Sequence, residues 1–396
     1  MAFLLIRKMP SFLPETQQKA ISGVNVTYFA HDMSDFAVRR RVAMLQAGGA
    51  KVSLFGFTRA EAGVTDVEGA PAVIFSRTFD GKLYHRAKSA MGAIFKLGRH
   101  RQVLMASDVI IGRNLEMLVV AWAAHALYAR KARLIYECLD IHPAMVGNGV
   151  MAKVLRAVER ALISRCQLII TSSPAFVRNY FQARQNVSTP IALLENKVLR
   201  LDGEARIGVS CDRMAPPWRI GWYGIHRTQK ALDIICKIAT DNPDLVRFVI
   251  RGRPGLIDFD DFHGQIAATP NVEFDGAYGP HDLARIYSDV HFNWAFDFFD
   301  EGSNSAWLLP NRIYEGGLYG AIPLAKRSTE TGRWLAARGL GFLTDDPARD
   351  VPDFLKGLTA EKYAEYTSHA QALAVSDVVA SRADCVALVS LIAGKP

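Results

Sequence analysis

The sequence predicts an α/β chain folded as two doubly wound, Rossmann-like domains. Short apolar strands alternate with amphipathic helices twice over, and a Gly- and Pro-containing break separates the two runs. A length of 396 residues also favours two or three domains over one. Apolar residues make up 50 % and charged residues 22 %, which excludes a largely disordered chain and supplies material for two cores.

In the first half, strands are expected at Val24–Ala30, Lys51–Phe57, Val109–Gly112, Arg133–Leu139, Leu168–Ser172 and Ile191–Leu194. Helices fill the gaps near 36–47, 86–104, 115–130, 151–164 and 174–183. Such repeats imply a parallel sheet with right-handed crossovers. The break carries Gly203, Gly208 and Pro216-Pro217. The second run has strands at Arg219–Tyr223, Val246–Ile250, Val272–Phe274, His291–Ala295, Ile322–Ala325 and Gly341–Leu343. Its helices begin near 228 and lie near 280–288, 311–319 and 330–337, and a helical stretch from about 360 to 393 has no strand after it. The expected organisation is a first domain over 1–200, a linker over 201–217, a second domain over 218–360 and a helical segment over 361–396 crossing back to the first domain. Two such domains facing a central cleft would take a ligand there, outside the carboxyl ends of the strands.

Five scattered cysteines, without a C-x-x-C or a His partner at metal spacing, fit reduced thiols in a cytoplasmic protein. The apolar run after Ala2 is too short for a signal peptide, and no stretch reaches the ~18 residues of a membrane span. Charge is asymmetric. Residues 1–200 hold 27 Lys+Arg and 13 Asp+Glu, a net +14, whereas residues 201–396 hold 20 and 26, a net −6. One half is therefore built to face an anionic partner.

The segment Ser303-Asn304-Ser305…Pro310-Asn311-Arg312…Glu315 has two readings on chemistry alone. A helix N-terminus offers free N–H groups and partial positive charge, and Arg312 adds a full one, which together make a diphosphate cradle. Glu315, one turn on, would accept from a sugar diol. The alternative is a capped helix with an Arg–Glu surface pair.

"LLPNRIYEGGLYGAIPLA" resembles the donor-binding segment of GT-B glycosyltransferases, in particular the family 4-like transferases of bacterial polysaccharide synthesis. The resemblance extends through "WRIGWYGIHRTQKALDII", "LVRFVIRGRPG" and "VEFDGAYGPHDLARIYSDVHFNW" in the second half and "ERALISRCQLIITSSPAFVRNYF" in the first. "RRRVAMLQAGGAKVSLFGFTR", together with the Pro-Asn-Arg helix, is similar to exopolysaccharide transferases of the succinoglycan type. It implies donor binding by Gly224, Arg227, Lys230, Arg251, Ser303, Asn304, Asn311, Arg312 and Glu315, the last toward the nucleotide ribose. Trp307 stands where such transferases often carry a first glutamate, so inverting or retaining chemistry stays open.

Glycosyl transfer must stabilise the departing nucleotide diphosphate, and an inverting enzyme also needs a base. No Asp-x-Asp between strand and loop in the second half suggests a metal clamp, so no metal and no cofactor are expected, the nucleotide sugar being substrate. Candidates for the base are Asp32, Asp35, Asp140 and His142, each just past a strand end in the first half. His31, Asn114 and Glu137 are candidate acceptor contacts. Asp35 equally suits a helix cap.

Residues 77–101 carry seven Lys and Arg against Asp80, interleaved with Met91, Ile94, Phe95 and Leu97. Arg86, Lys88, Lys96 and Arg99 are therefore candidate contacts with an anionic membrane surface. No nucleic-acid motif accompanies them. The expected protein is a cytoplasmic glycosyltransferase, peripheral on the inner face of the plasma membrane, extending a polyprenyl-diphosphate-linked saccharide. A GT-B-like sugar-nucleotide epimerase and a non-catalytic nucleotide-sugar-binding scaffold subunit are the alternatives. A nicotinamide enzyme lacks its G-x-G-x-x-G.

Overall fold

The computed structural model describes residues 23–395 apart from 60–63, 78–82, 203–206, 210, 212 and 256–258. It divides into two units. The first comprises Met1–Glu195, Leu199–Leu201 and Ala380–Pro396, and the second Asn196–Val198 and Asp202–Val379.

The first unit is built on eight strands: β1 (Asn25–Ala30), β2 (Lys51–Thr58), β3 (Asp66–Val67), β4 (Ala70–Arg77), β5 (Val109–Arg113), β6 (Arg133–Cys138), β7 (Leu168–Thr171) and β8 (Ile191–Leu193). Their order is β3-β4-β2-β1-β5-β6-β7-β8, and all neighbours are parallel except the β3–β4 pair. β3 and β4 fall outside the sequence expectation. Pro71 and the half-exposed middle of β4 give the run no continuous apolar signature, which suits a strand near a sheet edge.

The central strands are buried on both faces, as a parallel sheet requires. Right-handed crossovers set helices Leu83–Lys96, Arg101–Met105, Asn114–Tyr128 and Val150–Ile163 in one layer, with Asn114–Tyr128 touching the others. Helix Phe36–Ala47 packs instead against the last helix, Arg382–Ala393, whose Leu388, Val389 and Ile392 complete the core around Val38, Val42 and Leu45. The predicted 360–393 helix is in fact interrupted. It runs as Ala360–Gln371 and Val375–Val378, passes through an extended pair at Val379–Ala380, and restarts at Arg382 behind a Ser381/Asp384 capping box.

After β9 (Val198–Leu199) the second unit begins its own sheet, β10 (Trp218–His226), β11 (Val246–Pro254), β12 (Val272–Phe274), β13 (Phe292–Trp294), β14 (Ile322–Lys326) and β15 (Phe342–Thr344). The order is β12-β11-β10-β13-β14-β15, parallel throughout. In each unit the chain builds outward from its first strand and then reverses to the other side. The reversal falls between β1 and β5 in the first unit and between β10 and β13 in the second. The crevice at such a reversal is where open α/β sheets bind ligands.

Candidate active site

In the second unit, the carboxyl ends of β10, β13 and β14 gather the predicted donor residues. Helix Asn311–Leu318 starts behind Pro310, an extended cap without a side-chain hydrogen bond; the Ile313 N–H turns back to the Pro310 carbonyl at 3.2 Å, and no side chain caps the N–H groups of Asn311 and Arg312 before it. Asn293, fully buried on β13, donates to the Arg312 carbonyl at 2.6 Å and fixes that turn against the sheet. Gly316 permits the approach, because a Cβ there would come within 2.7 Å of the Asn293 amide nitrogen. The Arg312 guanidinium donates to the Trp294 carbonyl at 3.3 Å, at the end of β13.

Glu315 is 8 % exposed, so the surface-pair reading does not hold. Its Oε2 accepts from the Tyr287 hydroxyl at 3.1 Å. Burial, reinforced by the Glu315 charge, pushes the Tyr287 hydroxyl well above its ordinary pKa and keeps it a donor. At the end of β10, His226 is buried against Trp222, with ring centroids 4.1 Å apart, and its Nε2 meets the Arg251 carbonyl at 3.2 Å. Burial and then the Arg312 charge lower its pKa to about 3, so the ring is neutral.

The β10 and β11 ends approach so closely that a Cβ on Gly252, at φ +131°, would lie 1.8 Å from the Gly224 carbonyl oxygen. The strands can therefore run to their ends without side chains filling the crevice. Arg227 is exposed, 5.4 Å from the Phe299 ring centroid. Lys230 pairs with Glu301 at 2.5 Å, and Lys326, at the end of β14, holds the other oxygen of Glu301 at 2.9 Å. Arg251 pairs with Asp275 at 2.5 Å.

The loop before the helix is organised by carboxylates. Asp297 accepts from the Ser305 hydroxyl at 2.5 Å, Ser305 accepts from the Asp300 N–H at 2.8 Å, and Asp300 accepts from the Asn304 N–H at 3.3 Å. Ser303 and Asn304 are half-buried in this loop.

In the first unit, the ends of β1 and β5 bring together His31, Asp35 and Asn114. The Nε2 of His31 lies 3.8 Å from Asp35 Oδ2, and its Nδ1 lies 3.5 Å from the Asn114 amide. Asn114 holds φ +64°, an uncommon strained conformation for a non-glycine residue at the end of a strand. Asp35 also caps helix 36–47 by accepting from the Ala37 N–H at 2.8 Å.

Asp32 is a correction to the list of bases. It is buried, and one carboxylate oxygen takes the Ser34 N–H and hydroxyl at 3.0 and 2.6 Å, while Arg59 lies 3.5 Å from the other. Its carboxylate shapes the loop. Asp140 and His142 stay exposed beyond β6, and His142 caps the short helix Pro143–Val146 through its Nδ1, 3.2 Å from the Ala144 N–H.

Glu137 is also corrected, because a fully buried carboxylate cannot reach an acceptor sugar. It lies between Arg41, at 2.5 Å, and Arg113, at 3.4 Å, and accepts from the Tyr28 hydroxyl. Burial alone would raise its pKa, but the two guanidiniums hold it below the ordinary carboxylate value. The cluster ties helix 36–47 to β1, β5 and β6.

No family model matches the sequence. The chain is 40 % identical over 376 residues to the succinoglycan biosynthesis protein ExoL of Rhizobium meliloti (strain 1021), covering 93 % of each. It belongs to the ExoL family.

Solved structures agree on the fold. The WaaG glycosyltransferase of lipopolysaccharide biosynthesis superposes with a TM-score of 0.64 at 11 % identity, covering 93 % of this chain and 100 % of WaaG. Sucrose-phosphate synthase of Thermosynechococcus elongatus gives 0.62 at 13 % identity, covering 93 % and 96 %. This member of the ExoL family thus has the GT-B architecture of two Rossmann-like domains that its sequence resembles.

Sequence reasoning missed Asn293, Tyr287 and Lys326 in this ExoL-family site. Asn293 carried a signal, since a polar residue in the apolar strand Phe292–Trp294 needs a partner. Of the basic face, Lys88 and Arg99 are exposed, and the Arg86 side chain lies outside the described residues. Lys96 is exposed as well and donates to the Phe75 carbonyl at 2.5 Å.

Proposed function

We propose that this ExoL-family chain transfers a hexosyl group from a nucleotide sugar to a polyprenyl-diphosphate-linked saccharide, at the cytoplasmic face of the plasma membrane. The observation that carries the reading is Arg312, anchored on the Trp294 carbonyl where the second sheet reverses, with Glu315 buried one turn behind it. A diphosphate at the helix N-terminus would meet the backbone N–H groups of Asn311 and Arg312 and the Arg312 guanidinium, with Arg227 at the rim. A ribose would lie toward Glu315.

Charge developing on the departing diphosphate is met in this reading by arginine and backbone dipoles rather than by a metal. Undiminished turnover in EDTA is the check. His31, with Asp35 and Asn114 beside it, is the acceptor-side contact.

The testing experiment is a thermal-shift screen of nucleoside diphosphates and their sugars, followed by transfer of radiolabelled sugar to extracted lipid-linked saccharide. Stabilisation by one nucleotide and label in the lipid fraction support the reading. Conversion of the free nucleotide sugar to its epimer without an acceptor would instead indicate an epimerase, and binding without turnover a scaffold subunit.

A further inference from the structure

Of the fifteen large apolar side chains exposed among the described residues, ten sit on the four helices of a single layer of the first unit. Helix 150–163 carries the densest part. Val150, Met151, Val154 and Val158 are 79, 67, 52 and 42 % exposed. At about 100° per residue these four, with Ala157 and Ala161, fall in one arc of about 120°. Lys153, Arg156 and Arg160 share the adjoining arc. The helix has a single acid, Glu159, and it points inward, fully buried on the hydroxyls of Tyr136 at 2.7 Å and Tyr180 at 2.5 Å. The inner side is therefore firmly seated and the outer side bare.

The patch continues along the layer. Helix 114–128 exposes Trp122 and Leu127, and helix 83–96 exposes Met91 and Phe95, the last at 83 %. Residues 83–105 include no Asp or Glu. Exposed apolar side chains concentrated in this way on the helices of one layer, rather than scattered singly, mark an interaction face.

We infer that helix 150–163 is a lipid-docking element, its Val150–Val158 stripe entering the headgroup region of an anionic bilayer while the exposed Lys153 meets the headgroups. Cations beside an exposed apolar stripe, with the only acid turned inward, match that surface in charge and polarity. A second copy of the chain fits less well, because a two-fold contact through this stripe would set the same cations against each other.

The inference rests on the membrane-peripheral reading given above and extends it from the 77–101 segment to a second helix. The test uses the full chain and co-sedimentation with phosphatidylcholine vesicles, with and without phosphatidylglycerol. The combined substitution Val150→Gln, Met151→Gln, Val154→Gln should lower partition onto the anionic vesicles about tenfold or more. Its melting temperature should be unchanged, since all three residues are exposed.

In a Cys211→Ser background, where the other cysteines are buried, Met151→Cys labelled with an environment-sensitive fluorophore should shift to the blue on vesicle addition. Wild-type partition by the Gln variant, or an unshifted label on bound protein, overturns the inference. If partition is unaffected by the Gln variant but lost on Lys88→Glu with Arg99→Glu, the membrane reading stands and this helix is not its anchor. Absence of wild-type binding to anionic vesicles removes both. Loss of self-association without loss of vesicle binding would identify the occupant as a second copy and likewise overturn the inference.

Discussion

The Tyr287 hydroxyl donates to the Glu315 carboxylate across 3.1 Å, joining helix 283–288 to the helix that opens on Asn311. A buried carboxylate with a fixed donor on one oxygen is held in one orientation, as ribose recognition requires. Glu315→Ala should weaken nucleoside diphosphate binding by about 1.5–3 kcal/mol, read by calorimetry. Tyr287→Phe should cost less, about 0.5–1.5 kcal/mol, because the carboxylate remains. Unchanged affinity in Glu315→Ala would remove the donor site from this helix.

On the acceptor side, His31→Ala is expected to reduce kcat/KM for the saccharide acceptor about 10- to 150-fold, the worth of one charged hydrogen bond. Nucleotide affinity should not change. A loss confined to donor binding would contradict the assignment of the β1 and β5 ends to the acceptor.

The Arg41–Glu137–Arg113 cluster makes a stability prediction. Glu137→Ala leaves two guanidiniums buried without their shared counter-charge, at a cost of about 3–5 kcal/mol in urea unfolding of the first unit. A cost below 1 kcal/mol would mean that water or another acceptor replaces the carboxylate.

His226 sets a pH dependence. Its folded pKa of about 3 lies below the ordinary value of 6.5, so between these limits the unfolded chain takes up a proton that the folded chain refuses. Stability is complete above pH 6.5 and falls as pH drops toward 3, with a slope of at most ~1.4 kcal/mol per pH unit from this group. His226→Gln should flatten that slope in acid titrations followed by circular dichroism, and an unaltered slope would assign the proton elsewhere.

The alternation of strands and helices was legible because a parallel sheet writes near-continuous apolar runs such as Val109-Ile110-Ile111 and Leu168-Ile169-Ile170. β4 was not, since a half-exposed strand led by Pro71 has no such run. In the site, Arg312 and Glu315 were legible from the punctuation of their helix by Pro310 and Gly320. Glu137 was misread because strand-end position alone does not say which way a side chain points, and here it points inward to arginines 24 and 96 residues away. Lys326 and Glu301 meet only through the fold, across 25 residues that no local spacing rule connects.

Helix 382–393 lies so tightly on helix 36–47 that a Cβ on Gly48 would come within 2.2 Å of the Cys385 carbonyl oxygen. The first unit is therefore finished by residues that are made only after the second unit. During synthesis its earliest core, around Val38, Val42 and Leu45, waits with an open flank while the whole second unit is made. A fragment ending near residue 200 would inherit that open flank permanently. A two-piece design of this protein would need the C-terminal helix spliced back onto the first piece.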